Sequence, residues 1–234
     1  MDNQKEIMAA AIADIKSRME KAARAAGRNP HDVKLLPVTK TKPAAMLQTA
    51  YVLGLHTFGE NYIQEARDKF AELSALEISW HFIGHLQSNK AKYAVKMFGL
   101  IHSVDSLSLA EALNKEAGKI GKVQRILVQV NEGGEASKAG VTPEATLDLI
   151  KAAALLPNLK ILGLMTLPPF FDNPEAARPF FADLRKIRDE INAMKIPGVE
   201  LSELSMGMTG DFEAAIAEGS TMVRIGTALF GARA

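Results

Sequence analysis

The chain has 234 residues, 47% of them hydrophobic and 24% charged, which is ordinary for a globular protein and excludes disordered or fibrous designs. Its 28 basic and 27 acidic side chains leave no global field to attract nucleic acid or an anionic membrane, so neither is expected as a partner. Zero cysteines exclude disulfides, thiolate zinc sites and a cysteine nucleophile, and suit a reducing, cytoplasmic setting.

The opening stretch MDNQKEIMAAAIADIKSRMEKAARAAGR carries charges throughout, unlike a secretory signal. It reads as a helix with Ile7, Ala11, Ile15 and Met19 on its apolar stripe, stopped by Gly27 and Pro30. No apolar stretch is long enough to span a bilayer. Short apolar strand patterns then alternate with longer helical ones. The strand candidates in chain order are KLLPVT, HTFG, WHFIG, LIHSV, RILVQV, LKILGLMT, VELSELSM and TMVRIGT. Between them lie helical segments from PAAMLQTAYVL to DFEAAIAEG. Repeated strand and helix units imply parallel strands with helices outside, and eight units closed into a barrel take about 250 residues. The expected fold is α/β, a single (β/α)8 TIM barrel over residues 1–234 with an extra N-terminal helix. An open doubly wound sheet is the alternative, but no GxGxxG follows the first strand. Pro37 lies inside the first strand and removes a ladder donor there.

Function in such a barrel gathers at the C-terminal ends of the strands. Lys40 ends the first strand. Glu60 and Asn61 follow the second, His85, Gln87, Ser88 and Asn89 the third, and Asn131 to Lys138 the fifth. The seventh and eighth end in LSMGMTGD and VRIGTALFG, where Ser205, Gly207, Thr209 and Gly210 face Gly226 and Thr227 as a candidate phosphate site. Glycine-rich turns also serve tight packing. The period of two in TMVRIGT puts Met222, Arg224 and Gly226 on one face, so Arg224 points inward if Val223 and Ile225 meet the helices. An inward arginine requires an acidic or aromatic partner or a nearby ligand, and a structural ion pair is the plainer alternative. A strand-end lysine, an inward arginine and a phosphate nest together suggest a phosphorylated aldehyde, because a desolvated lysine forms Schiff bases. Pyridoxal 5′-phosphate (PLP) fits all three, with arginine facing its pyridine nitrogen and Asn61 holding the ring or its hydroxyl. His81 and His85 flank WHFIG without a third ligand or HExxH spacing, so no metal is expected. Lys42 and Lys138, on the expected mouth loops, are further lysines that could capture an aldehyde, although exposed lysines usually carry no special role.

The segments VTKTKP, FGENYIQEA, WHFIGHLQSNK, SVDS, GLM and LSMGMTGDFEAAIAEGSTMVRIGTALFGAR stand in an order and spacing that resembles the pyridoxal phosphate homeostasis protein family over nearly the whole chain. The resemblance implies the barrel of the alanine racemase N-terminal domain, standing without the racemase's second domain. It implies a Schiff base on Lys40, Arg224 at the pyridine nitrogen, Asn61 beside the ring, and Ser205, Gly226 and Thr227 at the phosphate. The implied role is storage, buffering or delivery of PLP to PLP-dependent apoenzymes by a cytoplasmic monomer without robust turnover. A PLP-dependent racemase or decarboxylase and a Schiff-base aldolase are the competing readings. The chain departs from the family's usual pattern at Pro37 (often alanine), Thr39 (often serine), and Thr209 with Gly210 (often serine and aspartate).

Overall fold

The computed structural model describes residues 2–133 and 139–231. Helix α1 (Asp2–Ala25) precedes the strands and helices of the barrel: β1 (Lys34–Pro37), α2 (Ala44–Val52), β2 (Thr57–Glu60), α3 (Ile63–Glu72), β3 (Ser79–Phe82), α4 (Ala91–Met97), β4 (Leu100–Val104) and α5 (Leu107–Gly118). It continues with β5 (Gln124–Val130), α6 (Pro143–Ala154), β6 (Leu159–Thr166), α7 (Arg178–Ala193), β7 (Glu203–Ser205), α8 (Phe212–Ala217), β8 (Met222–Ile225) and the four-residue α9 (Thr227–Phe230). Helix starts follow capping chemistry. Ser106 accepts the Leu109 N–H, and Thr142 accepts the Ala145 N–H ahead of Pro143 in the first turn of α6.

All eight strands pair in parallel in the order β1-β8-β7-β6-β5-β4-β3-β2, and a parallel bridge between Val38 and Gly59 brings β1 back to β2. The expected eight-unit barrel is therefore the fold observed. Alternation sorts the strand side chains into two cores. Leu36, Val38, Ile83, Leu100, Leu127, Met165 and Met222 fill the lumen. Val223, Ile225, Ile101, Ile126 and Val128 face outward into the shell formed with the helices.

Pro37 is accommodated by this pairing. The amides of Lys34 and Val38 donate to Thr221 and Ile225 on the β8 side, whereas Thr39 N–H donates to Gly59 on the β2 side. By the same alternation the proline nitrogen faces β2, so β8 loses no bond. The missing donor falls where pairing is already reduced to one bridge.

The stripe of α1 keeps Ile15 and Met19 as expected, but its first two turns are shifted by one residue, to Met8 and Ile12. Met8, Ile12, Ile15, Met19 and Ala23 are buried, while Ile7 is 63% exposed and Ala11 only half-buried. The partner surface decides which arc turns inward. The helix lies on α8, with Arg18 bonded to Glu213 at 2.8 Å and stacked over Phe212, and Arg28, just beyond α1, donates to the Ile216 carbonyl at the end of α8 and to the Ser220 carbonyl past it.

Between β5 and β6 the register skips Leu162, a bulge that delivers Gly163 opposite Glu203 of β7. A Cβ at position 163 would lie 1.8 Å from the Glu203 carbonyl oxygen. Gly163→Ala should therefore force β6 and β7 apart and destabilise the barrel by at least about 3 kcal/mol, the upper range for overpacked interiors. Urea unfolding measures this, and a cost under about 1 kcal/mol would show that the two strands separate freely.

Candidate functional site

The loops after β1, β2, β6, β7 and β8 enclose a cavity of about 470 Å³ at the C-terminal mouth. Lys40, Asn61, Arg224, Gly226 and Thr227 all line it, so five of the six expected site residues converge there. Lys42, Thr209, Gly210 and Asp211 join them on the polar side. Leu167, Pro169, Phe170 and Phe171 form an apolar wall. Lys138 falls outside the described residues. His85 lies apart, exposed and 3.8 Å from Asp105.

Lys40 is held from behind by a buried charge cluster. The Lys69 ammonium, on α3, donates to the carbonyl of Thr39 at 2.6 Å, to Glu60 at 2.7 Å and to Glu65. The Thr39 hydroxyl donates to Glu60 at 2.6 Å. Glu65 also accepts the N–H of Thr41, which sits in the left-handed region at φ 64°. Both peptide groups flanking Lys40 are thus anchored, so its side chain leaves a turn of defined direction. Glu60 is wholly buried, and burial raises its pKa against the opposing pull of Lys69 and Thr39.

Asn61 follows β2 and presents a carboxamide oxygen, Oδ1, that is buried and accepts no hydrogen bond. Its backbone is fixed by Gly84, where a Cβ would come within 2.1 Å of the Asn61 carbonyl oxygen. An unsatisfied acceptor on a cavity wall is a ready partner for a ligand donor.

Arg224 occupies the floor and is 3% exposed. One Nη donates to the hydroxyl of Ser205 and the other to the carbonyl of Thr166, each at 2.8 Å. Burial brings its pKa down to about 10, partly offset by Asp211, so it remains charged near neutrality. Asp211 itself is raised by burial, and its carboxylate accepts the Met208 N–H at 2.6 Å, shaping the turn after β7.

Ser205 does not reach the cavity. It is fully buried beneath Arg224, and its hydroxyl also lies 2.9 Å from His102 Nδ1, whose Nε2 is 3.1 Å from His81 Nδ1. The hydroxyls at the mouth are instead those of Thr227 and Thr209, 3.2 Å apart. Sequence reasoning missed His102, Lys69 and Thr166. His102 was accessible from the period of two in LIHSV, which puts it on the lumen face with Leu100. Lys69 had no comparable signal, because a helical lysine ordinarily faces solvent. Glu132, after β5, was also missed as an individual residue. Among the described residues neither of its carboxylate oxygens meets a donor at full hydrogen-bond geometry, and burial raises it to about 8 against a weaker pull from the nearby Thr166 hydroxyl.

A lysine, a buried arginine and paired hydroxyls around one mouth of an α/β barrel make a site fit to receive a small anionic carbonyl compound. The family model described as alanine racemase, N-terminal domain, matches residues 11–234. A relative from Aquifex aeolicus, 47% identical over 95% of this chain and 96% of its own, is named pyridoxal phosphate homeostasis protein. So is one from Pseudomonas aeruginosa, also 47% identical, over 95% of this chain and 94% of its own. The solved structure of PipY from Synechococcus elongatus with PLP bound superimposes with a TM-score of 0.85 at 38% identity, covering 96% of this chain and 100% of that one. The chain belongs to the family of pyridoxal phosphate homeostasis proteins, built on the barrel of the alanine racemase N-terminal domain.

Removing the Lys69 ammonium strands Glu60 in the interior. Lys69→Met should cost about 3–5 kcal/mol of stability, and adding Glu60→Gln should return much of it. Urea unfolding of the single and double variants tests this; a double variant no better than the single one would show that the carboxylate was not the source of the cost.

The histidine pair makes a second, pH-dependent prediction. Burial is the main cause in both, lowering His81 to about 4 and His102 well below the ordinary 6.5. Between these values the unfolded chain binds protons that the native protein refuses, so stability falls as pH drops from 6.5 toward 4, by roughly 3 kcal/mol from His81 alone. His81→Gln should flatten the slope of stability against pH over that interval. An unchanged slope would mean that His81 titrates normally in the folded protein.

Proposed function

We propose that this protein holds PLP reversibly in the mouth of its barrel and serves the cell as a reservoir and donor of that cofactor, without robust turnover of its own. The observation that carries the reading is the cavity itself. It joins a strand-end lysine, a buried arginine with guanidinium N–H groups beyond the two spent on the protein, and an asparagine acceptor without a partner. Its volume of about 470 Å³ suits a small aromatic phosphate. The bound cofactor of PipY, a relative at 38% identity, points the same way.

PLP supplies an aldehyde that a primary amine captures reversibly. Lys40 is the amine, aimed into the cavity by the anchored peptides on either side. Arg224 would donate toward the pyridine nitrogen from the floor with the N–H groups not spent on Ser205 and Thr166. A guanidinium does not give up its proton, so it leaves that nitrogen unprotonated and the ring a poor electron sink. Asn61 Oδ1, buried without a partner, would accept from a ring hydroxyl, and the apolar wall from Leu167 to Phe171 would shield the ring. Thr227, Gly226 and Thr209 would hold the phosphate, and Ser205 is assigned to supporting Arg224. Asp211, a carboxyl of the cavity wall, is engaged by the Met208 amide. These assignments favour holding over amino-acid chemistry. A cytoplasmic setting and PLP-dependent apoenzymes as recipients follow from the same reading. Among the described residues no helix is long and apolar enough to cross a membrane.

Borohydride reduction of the PLP-loaded protein followed by peptide mapping should place the pyridoxyl label on Lys40, and Lys40→Ala should lose the absorbance of the protein-bound cofactor. Predominant labelling of Lys42 in the unsubstituted protein would reject Lys40 as the anchoring amine. Rapid α-proton exchange with a panel of amino acids, abolished by Lys40→Ala, would replace the carrier reading with an enzyme.

A further inference from the structure

The lumen contains a polar line that cofactor contact does not require. It runs from Arg224 at the floor of the mouth cavity through Ser205 and His102 to His81, with steps of 2.8, 2.9 and 3.1 Å. His81 lines a separate cavity of about 230 Å³ at the opposite pole, together with Lys34, Ser79, Arg125 and Glu203. The line therefore crosses the barrel from one end to the other.

Its direction is set at one end. A guanidinium can only donate, so Ser205 Oγ must accept from Arg224. The single hydroxyl proton of Ser205 then has His102 Nδ1 as its acceptor. With Nδ1 accepting, His102 carries its proton on Nε2 and donates to His81 Nδ1, which leaves the His81 proton on Nε2 toward the second cavity. The reverse polarity would make Ser205 accept twice and strand its own proton in a fully buried position. Both rings are neutral near pH 7, held so by burial, with Arg125 and Lys34 acting on His81, opposed by Glu203, and Arg224 acting on His102.

We propose that Ser205, His102 and His81 are positioning residues, a one-way hydrogen-bonded line that orients the Arg224 guanidinium so that its remaining N–H groups meet a ring nitrogen in the mouth cavity. This rests on the reading of the cavity as a PLP site. Fixing the guanidinium through a neutral hydroxyl and the Thr166 carbonyl leaves its charge undiluted by a hydrogen-bonded carboxylate. It thus remains a strong donor to an uncharged acceptor.

Two measurements test the proposal. In the ligand-free protein, long-range ¹H–¹⁵N correlation spectra at pH 7 should show His102 and His81 as neutral Nε2–H tautomers; His102 protonated on Nδ1 would overturn the direction of the line. Equilibrium dialysis should then compare PLP with the analogue in which CH replaces the ring nitrogen. Ser205→Ala should weaken retention of PLP about ten-fold and leave the analogue unchanged, and Ser205→Thr should restore PLP retention. Equal loss of both ligands, or loss of neither, overturns the positioning role. If the unsubstituted protein retains no PLP, the proposed function fails, and the tautomers still decide the direction of the line.

Discussion

A permanently charged guanidinium inside a barrel is the constraint around which the interior is arranged. Arg224 is almost fully buried, and the groups that receive its two observed hydrogen bonds are neutral: the Ser205 hydroxyl and the Thr166 carbonyl. Burying such a charge is costly unless its donors are met and some compensating field is near. Asp211 supplies the field and the two acceptors supply the bonds. The lumen then holds apolar side chains, Leu36, Leu127, Met165 and Met222 among them, together with a connected polar line. The strands carry both because alternate residues of each one point inward.

The second buried cation, Lys69, solves a different problem. Beyond the short paired segments of β1 and β2, the seam closes through one bridge, and Pro37 gives it no donor. Lys69 reaches in from α3 and ties the Thr39 carbonyl of one strand to the Glu60 carboxylate of the other. An ion pair thus replaces part of a hydrogen-bond ladder at the place where Lys40 leaves the barrel. Buried pairs are weak contributors to net stability, but they specify geometry when every donor has an acceptor, and all three ammonium protons of Lys69 do.

These two devices divide the work of the mouth. The Lys69 cluster sets the direction in which Lys40 emerges, and the Ser205 line sets the plane in which Arg224 donates. Between them the cavity keeps an unsatisfied Asn61 oxygen and an apolar wall. The arrangement suits an aromatic ligand gripped by its edges, with one face against Leu167 to Phe171. Holding the ring without protonating its nitrogen favours storage over carbanion chemistry, which links the interior electrostatics to the proposed role.

Much of this was legible along the chain. Eight apolar strand patterns alternating with helices determined the barrel, because a parallel strand buried on both faces reads as a short apolar run bounded by turns. Lys40, Asn61, Arg224, Gly226 and Thr227 could be located because they stand at strand ends or on a lumen-facing parity, both of which are local properties. Pairings between distant segments were not local. Whether Ser205 faces the mouth or supports Arg224 depends on how far β7 sits below β8, a register that no single strand encodes. The first turns of the α1 stripe settled on Met8 and Ile12 rather than Ile7 and Ala11 because the surface of α8, nearly two hundred residues away, chose the arc. Lys69 became a clasp for the β1–β2 seam only once α3 packed beside it. Sequence by itself determined which residues could carry chemistry, through type and periodicity; tertiary structure decided which of them meet, because burial and hydrogen-bond partners are properties of neighbours in space.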